Sequence, residues 1–183
     1  MSESQFDPNL FFQFDLERGE VRARDGSRVL LLSQDVLGPL IGTAVRSGDL
    51  TAVRELGNQL GSYVKGHLGE SVEDKSPAIV LGNVADVLAL YGWGRLRVEQ
   101  WGNALVLQVE KLPPLDQENL AVAALLGGAL STLCSREVAC VPVGSDNRYL
   151  VVDPNIAERV WAWFKGGNDI ASIVSKLVAP EGS

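Results

Sequence analysis

Apolar residues in this chain recur with a period of two in some stretches and near 3.6 in others, and the switches between the two outline its elements. From Leu10 to Leu32 the period is two. Phe12, Phe14 and Leu16 alternate with Gln13 and Asp15, and Val21 and Ala23 answer them after the turn Glu17-Arg18-Gly19. A second turn, Asp25-Gly26-Ser27, leads into Val29 to Leu32, which completes the strand pattern. Helical spacing begins after Ser33, a residue suited to cap free amides. Val36, Leu37, Leu40, Ile41, Ala44 and Val45 form one stripe that Gly48 ends. Asp49 opens a second helix with Leu50, Val53, Leu56, Leu60, Val64 and Leu68 on one face, and Gly69 closes it.

Glu70 to Lys75 reads as an acidic, mobile connection. Ser76-Pro77 then starts a third helix with a capping hydroxyl and a proline where no amide is needed. This helix runs to Tyr91, is apolar around most of its circumference, and is predicted to be the central one. A hairpin follows, with Leu96 and Val98 facing Leu105, Leu107 and Val109 across Trp101-Gly102-Asn103. After Pro113-Pro114, Asp116 caps a fourth helix, Leu120 to about Cys134. Val138–Val143 and Tyr149–Val152 form a second hairpin. Asp153-Pro154 starts a short helix holding Trp161, Trp163 and Phe164, and an amphipathic helix with Ile170, Ile173, Val174, Leu177 and Val178 ends the pattern. Strands in hairpins and helices in blocks predict an α+β fold with antiparallel sheet. No internal linker stands out, so one domain is expected: a flexible Met1–Asn9, a domain over 10–153, and a helical extension over 154–183.

Composition narrows the function. The 183 residues suffice for a sizeable core, and 16 basic against 23 acidic residues, net −7, disfavour nucleic acid as a partner. One histidine and two cysteines cannot close a zinc site without carboxylates, so neither metal nor cofactor is expected. No stretch reaches the ~18–20 apolar residues of a membrane span. The acidic, polar start and the two cysteines point to a reducing cytoplasm.

Few side chains suit catalysis. His67, near the end of the second helix, reads better as a cation at the negative helix end than as a base, having no nucleophile near it in sequence. Cys134 and Cys140, six residues apart, match no redox spacing and read as small hydrophobes. Asp86, with Asn83 a turn earlier, interrupts the apolar third helix. It is either satisfied by an arginine inside the fold or turned to a subunit boundary or pocket. Gly38/Gly42 and Gly57/Gly61 each cost helix propensity, about 1 kcal/mol per glycine, which close approach of another backbone would offset. The four tryptophans read as core or interface anchors, and Gly127-Gly128, lying within a helix, is no nucleotide loop.

Four stretches taken in order resemble a known group: Phe14–Val21 leading to Arg28–Ser33, Leu56–Gly61, Tyr91–Gly94 with the hairpin ending at Pro113, and Leu126–Leu130 before Glu137–Val151. Together they look like the 4-vinyl reductase, or hydrocarbon-binding, domain family, and more distantly the core subunits of the TRAPP (transport protein particle) trafficking complexes. The resemblance implies an α/β-plait with a small antiparallel sheet packed on helices, dimerisation through the helices, and an apolar pocket. Two departures stand out. The group carries two cysteines in the final hairpin; Cys140 matches the first, but Arg148 stands at the second. Acylated TRAPP subunits carry a cysteine just before the third helix, and Glu70–Pro77 holds none.

The expected function is therefore a non-enzymatic, homodimeric adaptor or scaffold in a bacterial regulatory or trafficking-like assembly, with a small GTPase or polarity protein as partner by analogy. The alternative is a sensor for a hydrocarbon-like or lipid small molecule, and a further one is a relative of tetrapyrrole vinyl reductases. Ligand contacts are assigned to Tyr91, Trp93 and Cys140. Dimer or helix packing is assigned to Gly38, Gly42, Gly57, Gly61 and Asp86.

Overall fold

A computed structural model describes residues 11–69 and 72–178. The expected flexible start and the first two residues of the acidic connection lie outside that range. The chain separates into two compact units, Met1–Leu37 and Gly38–Ser183, in place of the one domain expected.

In the first unit β1 (Phe12–Asp15), β2 (Glu20–Ala23) and β3 (Arg28–Val29) form an antiparallel meander in the order β1-β2-β3. Phe14 pairs with Val21 and Val21 with Val29. Gly19 and Gly26 take positive φ in the two turns, and Asp25 Oδ1 accepts from the Ser27 amide at 2.9 Å. Leu30 to Leu32 do not extend β3. They are exposed and have no strand partner, so an apolar run alone did not make a strand. These strands bond only to each other, which explains why they separate from the rest of the chain.

α1 (Gln34–Ser47) crosses into the second unit, where α2 (Thr51–Leu68), α3 (Pro77–Leu90), β4 (Arg95–Trp101) and β5 (Ala104–Glu110) follow. They are succeeded by α4 (Leu120–Cys134), β6 (Ala139–Pro142), β7 (Arg148–Val152), α5 (Pro154–Lys165) and α6 (Ile170–Val178). Local signals place the helix ends. Ser76 Oγ accepts from the Ile79 amide, and Asp153 Oδ1 accepts from the Asn155 amide at 2.9 Å. The Asp116 carboxylate takes the Leu120 and Ala121 amides at 2.9 and 3.0 Å. The acidic connection is partly ordered: Val72–Asp74 form a 3-10 turn with Val72 buried.

The second sheet has the order β4-β5-β7-β6, so β5 and β7 join the two hairpins, with Leu107 opposite Tyr149. One face carries Val106, Val141, Leu150 and Val152, covered by Val160 and Ile173 of α5 and α6 with Trp161, Trp163 and Phe164 around them. The other face packs on α3 and α4. The central helix is α4, with eleven of fifteen residues buried, and not α3, which buries four of fourteen. Both are apolar on all sides. Only the packing distinguishes them, because α4 lies between α2 and the sheet while α3 touches β4 and α2 on one side.

The α2–α4 contact is a glycine seam. A Cβ at Gly57 would lie 2.8 Å from the Leu125 carbonyl carbon, and one at Gly61 would lie 2.6 Å from the Ala129 carbonyl oxygen. On the opposite side Gly128 meets the Arg54 backbone, and Gly127 leaves room for the Arg54 guanidinium. That guanidinium donates to Ser131 Oγ at 2.9 Å and to the Val138 carbonyl at 3.2 Å, binding α2 to the start of β6.

Candidate functional site

The residues assigned from sequence do not converge. Tyr91 is the C-terminal cap of α3 and is half-buried. Trp93 is 7% exposed, in the Gly92–Gly94 turn that carries the chain into β4. Cys140 sits on β6 at the far edge of the sheet. Nothing lies within 4 Å of where a Cβ at Gly38 would be, and Gly42 would meet only the side chain of Arg46 on its own helix. Asp86 is exposed on α3 and meets no arginine among the described residues. Partial burial alone raises its pKa above the usual carboxylate value. His67 is exposed in the last turn of α2.

The two positions of the family's cysteine pair also separate. Cys140 lies opposite Val151, and its side chain is on the α4 face of the sheet. Arg148 is on the other face, where its Nε and Nη2 donate to the two oxygens of Glu99 at 3.0 and 2.9 Å, and Asp146 is a further ion-pair partner. These bonds hold the Glu99 carboxyl below its usual pKa. Among the described residues, no group of three or more histidines, cysteines or acids could hold a metal ion. Burial pushes the Cys140 thiol up to about 12, against the opposing pull of Arg54. Tyr149 is fully buried on the same face; its hydroxyl has no hydrogen-bond partner, and burial with nearby Asp116 raises its pKa. No helix among the described residues is long and apolar enough to cross a membrane.

The feature sequence reasoning missed is a groove of about 570 Å³ between α3 and the β4–β5 hairpin. Pro77, Ala78, Leu81, Gly82 and Ala85 form its helical wall. These positions fall on one side of α3, and their small size holds the groove open. Leu96, Val98 and Gln100 line it from β4, alternating along the strand as one face must, and Asn103 to Leu105 close the hairpin end. The lining contains no ionisable side chain. Gln100 and Asn103 supply the only side-chain hydrogen-bonding groups. A second, smaller groove of about 270 Å³ follows β6 and includes Arg54, Cys140, Glu158 and Trp161. Only the alternation of Leu96, Val98 and Gln100 was visible in advance, because a groove depends on which side chains are small across two distant segments.

No family model matches the chain. No curated protein matches it in sequence, so the resemblance to the 4-vinyl reductase group rests on the motifs alone. Among solved structures, the fold is shared with the phenol-responsive sensory domain of the transcription activator PoxR, determined with phenol. The TM-score is 0.57 at 14% identity, over 90% of this chain and 98% of that one.

Proposed function

We propose that this chain is a sensory domain that takes a small, neutral, largely apolar molecule in the groove between α3 and the β4–β5 hairpin. The observation that carries the reading is the lining of the groove: apolar walls, two amide side chains and no charge. Pockets of a few hundred Å³ with a few placed polar groups are the usual form of small-molecule sites. A shared fold with a domain titled phenol-responsive supports a sensor over a trafficking-type scaffold. The Gln100 and Asn103 amides suit one hydroxyl or carbonyl on the ligand, and the α3 wall suits its hydrocarbon part. A carboxylate entering the same groove would lose its hydration without gaining a cation.

The domain acts by binding rather than by chemistry. Its lone histidine is exposed on α2, and its buried thiol on β6 remains protonated at neutral pH. The test is a thermal-shift titration with phenol and with benzoate. Phenol raises the melting temperature of the parent protein, benzoate does not, and Gly82→Leu, which places a side chain in the groove, abolishes the phenol response. Equal responses to phenol in the parent and Gly82→Leu would refute this site.

A further inference from the structure

The two edges of the four-stranded sheet are treated differently. β6 is blunted. Val143 N donates to Arg148 O, so alternate residues Cys140 and Pro142 turn their backbone groups to the open side. Pro142 has no N–H to offer there, and Arg54 already occupies the Val138 carbonyl just before the strand. β4 is left open. It runs seven residues in unbroken register with β5, without proline, glycine or bulge, and the sheet ends on it.

The phase of β4 follows from its hairpin. Trp101 pairs with Ala104 next to the two-residue turn, so Trp101, Glu99, Arg97 and Arg95 bond inward to β5. The Val109 amide donating to Asn147 O, toward β7, fits the same phase. Leu96, Val98 and Gln100 therefore direct their N–H and C=O groups outward, and Val98 is 45% exposed. An edge of this length in a soluble domain is a template for another strand.

We propose that the β4 edge pairs with β4 of a second copy of this chain, antiparallel and centred on Val98. The strand's charges select that occupant. Centring the two-fold axis on Val98 sets Arg97 opposite the partner's Glu99, and Glu99 opposite the partner's Arg97. Leu96 then faces the partner's Gln100, and Val98 faces the partner's Val98, so the half-exposed valines cover each other. Glu99 has capacity for the new bond. It accepts from Arg148 Nε and Nη2 and from Trp101 Nε1, three of the roughly four bonds a carboxylate can take. Arg97 is half-exposed and bonds Glu110 through Nε at 2.7 Å, leaving its outer nitrogens free to reach across. The result is a row of alternating sign, Glu110, Arg97, the partner's Glu99, the partner's Arg148, within one continuous eight-stranded sheet. The partner's Gln100 and Leu96 then border each groove, so the sites lie on either side of the two-fold axis.

Sedimentation velocity of the full chain at micromolar concentration tests this. The parent sediments at twice its 19.7 kDa mass. Val98→Pro, which removes an outward N–H without touching the β4–β5 ladder, sediments as a monomer with an unchanged circular-dichroism spectrum. R97E alone sets acid against acid across the axis, E99R alone sets base against base, and both are monomeric. An equimolar mixture of R97E and E99R recovers the dimer, because each then opposes the other's charge, a result misfolded variants cannot produce. A monomeric parent, a dimer that survives Val98→Pro, or a mixture that stays monomeric would overturn the proposal.

Discussion

Replacing Gly57 by alanine tests the packing account most severely, because on helix propensity alone the change is favourable by about 1 kcal/mol. The structure reverses that sign. The new methyl would penetrate the Leu125 carbonyl of α4 and approach its Cα at 3.0 Å, and these are backbone atoms that cannot rotate away. The two helices must separate along a seam where α4 is buried on all sides. Overpacking of this kind costs about 1–3 kcal/mol before the lost contacts are counted, so a net loss of about 3 kcal/mol is expected. Gly66, on the same helix, is the internal control. Nothing lies within 4 Å of its Cβ position, and Gly66→Ala should stabilise by up to about 1 kcal/mol. For a chain of this size these figures correspond to a melting temperature lowered by ~6–12 °C for Gly57→Ala and raised by ~2–4 °C for Gly66→Ala. Differential scanning calorimetry of the two variants beside the parent is the assay. If Gly57→Ala melts at or above the parent temperature, the glycine seam is not what holds α2 to α4.

Three other outcomes follow from the structure. In a maleimide time course at pH 8, exposed Cys134 reacts at once, whereas Cys140 reacts only on unfolding; two fast thiols would contradict its burial. Because the folded state holds the Cys140 proton to about pH 12 while the unfolded chain releases it near 9.0, the linked stability is complete below pH 9 and falls by about 1.4 kcal/mol per pH unit above it. Urea melts at pH 7 and 10.5 should therefore show the parent losing about 2 kcal/mol more than Cys140→Ala, and equal losses would refute the linkage. At the acid end Glu99 has a lowered pKa, so the stability it adds through Arg148 is present above its unfolded value and disappears as pH falls through the folded one. Glu99→Gln should accordingly flatten the stability profile below about pH 4.5. Gly82→Ala, on the exposed wall of α3, should raise stability by about 1 kcal/mol in a urea melt; a decrease would show that the space around it is filled.

The parts of this fold legible in the sequence are those set by neighbouring residues. Ser76-Pro77 and Asp153-Pro154 begin helices because a side-chain oxygen and a proline satisfy the first amides locally. Gly102-Asn103 turns the β4–β5 hairpin where the alternation changes direction. What stayed hidden depends on segments far apart. Gly57 and Gly61 announced a close approach, but the partner is α4, whose Gly127-Gly128 completes the seam about seventy residues later. α3 and α4 carry the same apolar signal, and only assembly shows which one the sheet and α2 enclose. Leu30 to Leu32 read as a strand because hydrophobicity was counted without a pairing partner. The aromatic residues Tyr91 and Trp93 drew attention to the C-terminal end of α3, while the groove lies along its first half, where alanine and glycine leave space. A candidate site made by small residues leaves little trace in a sequence read for large or reactive ones.

The measurement that bears most directly on the sensory reading is a two-dimensional amide NMR titration of the isotope-labelled chain with phenol, with benzoate as the charged control. The account predicts saturable phenol shifts concentrated at Ala78, Gly82 and Ala85 of α3 and at Val98 to Leu105 of the hairpin, with benzoate at least tenfold weaker. Shifts that map to the β6 groove around Cys140 and Trp161, or no saturable shift at millimolar phenol, would contradict it.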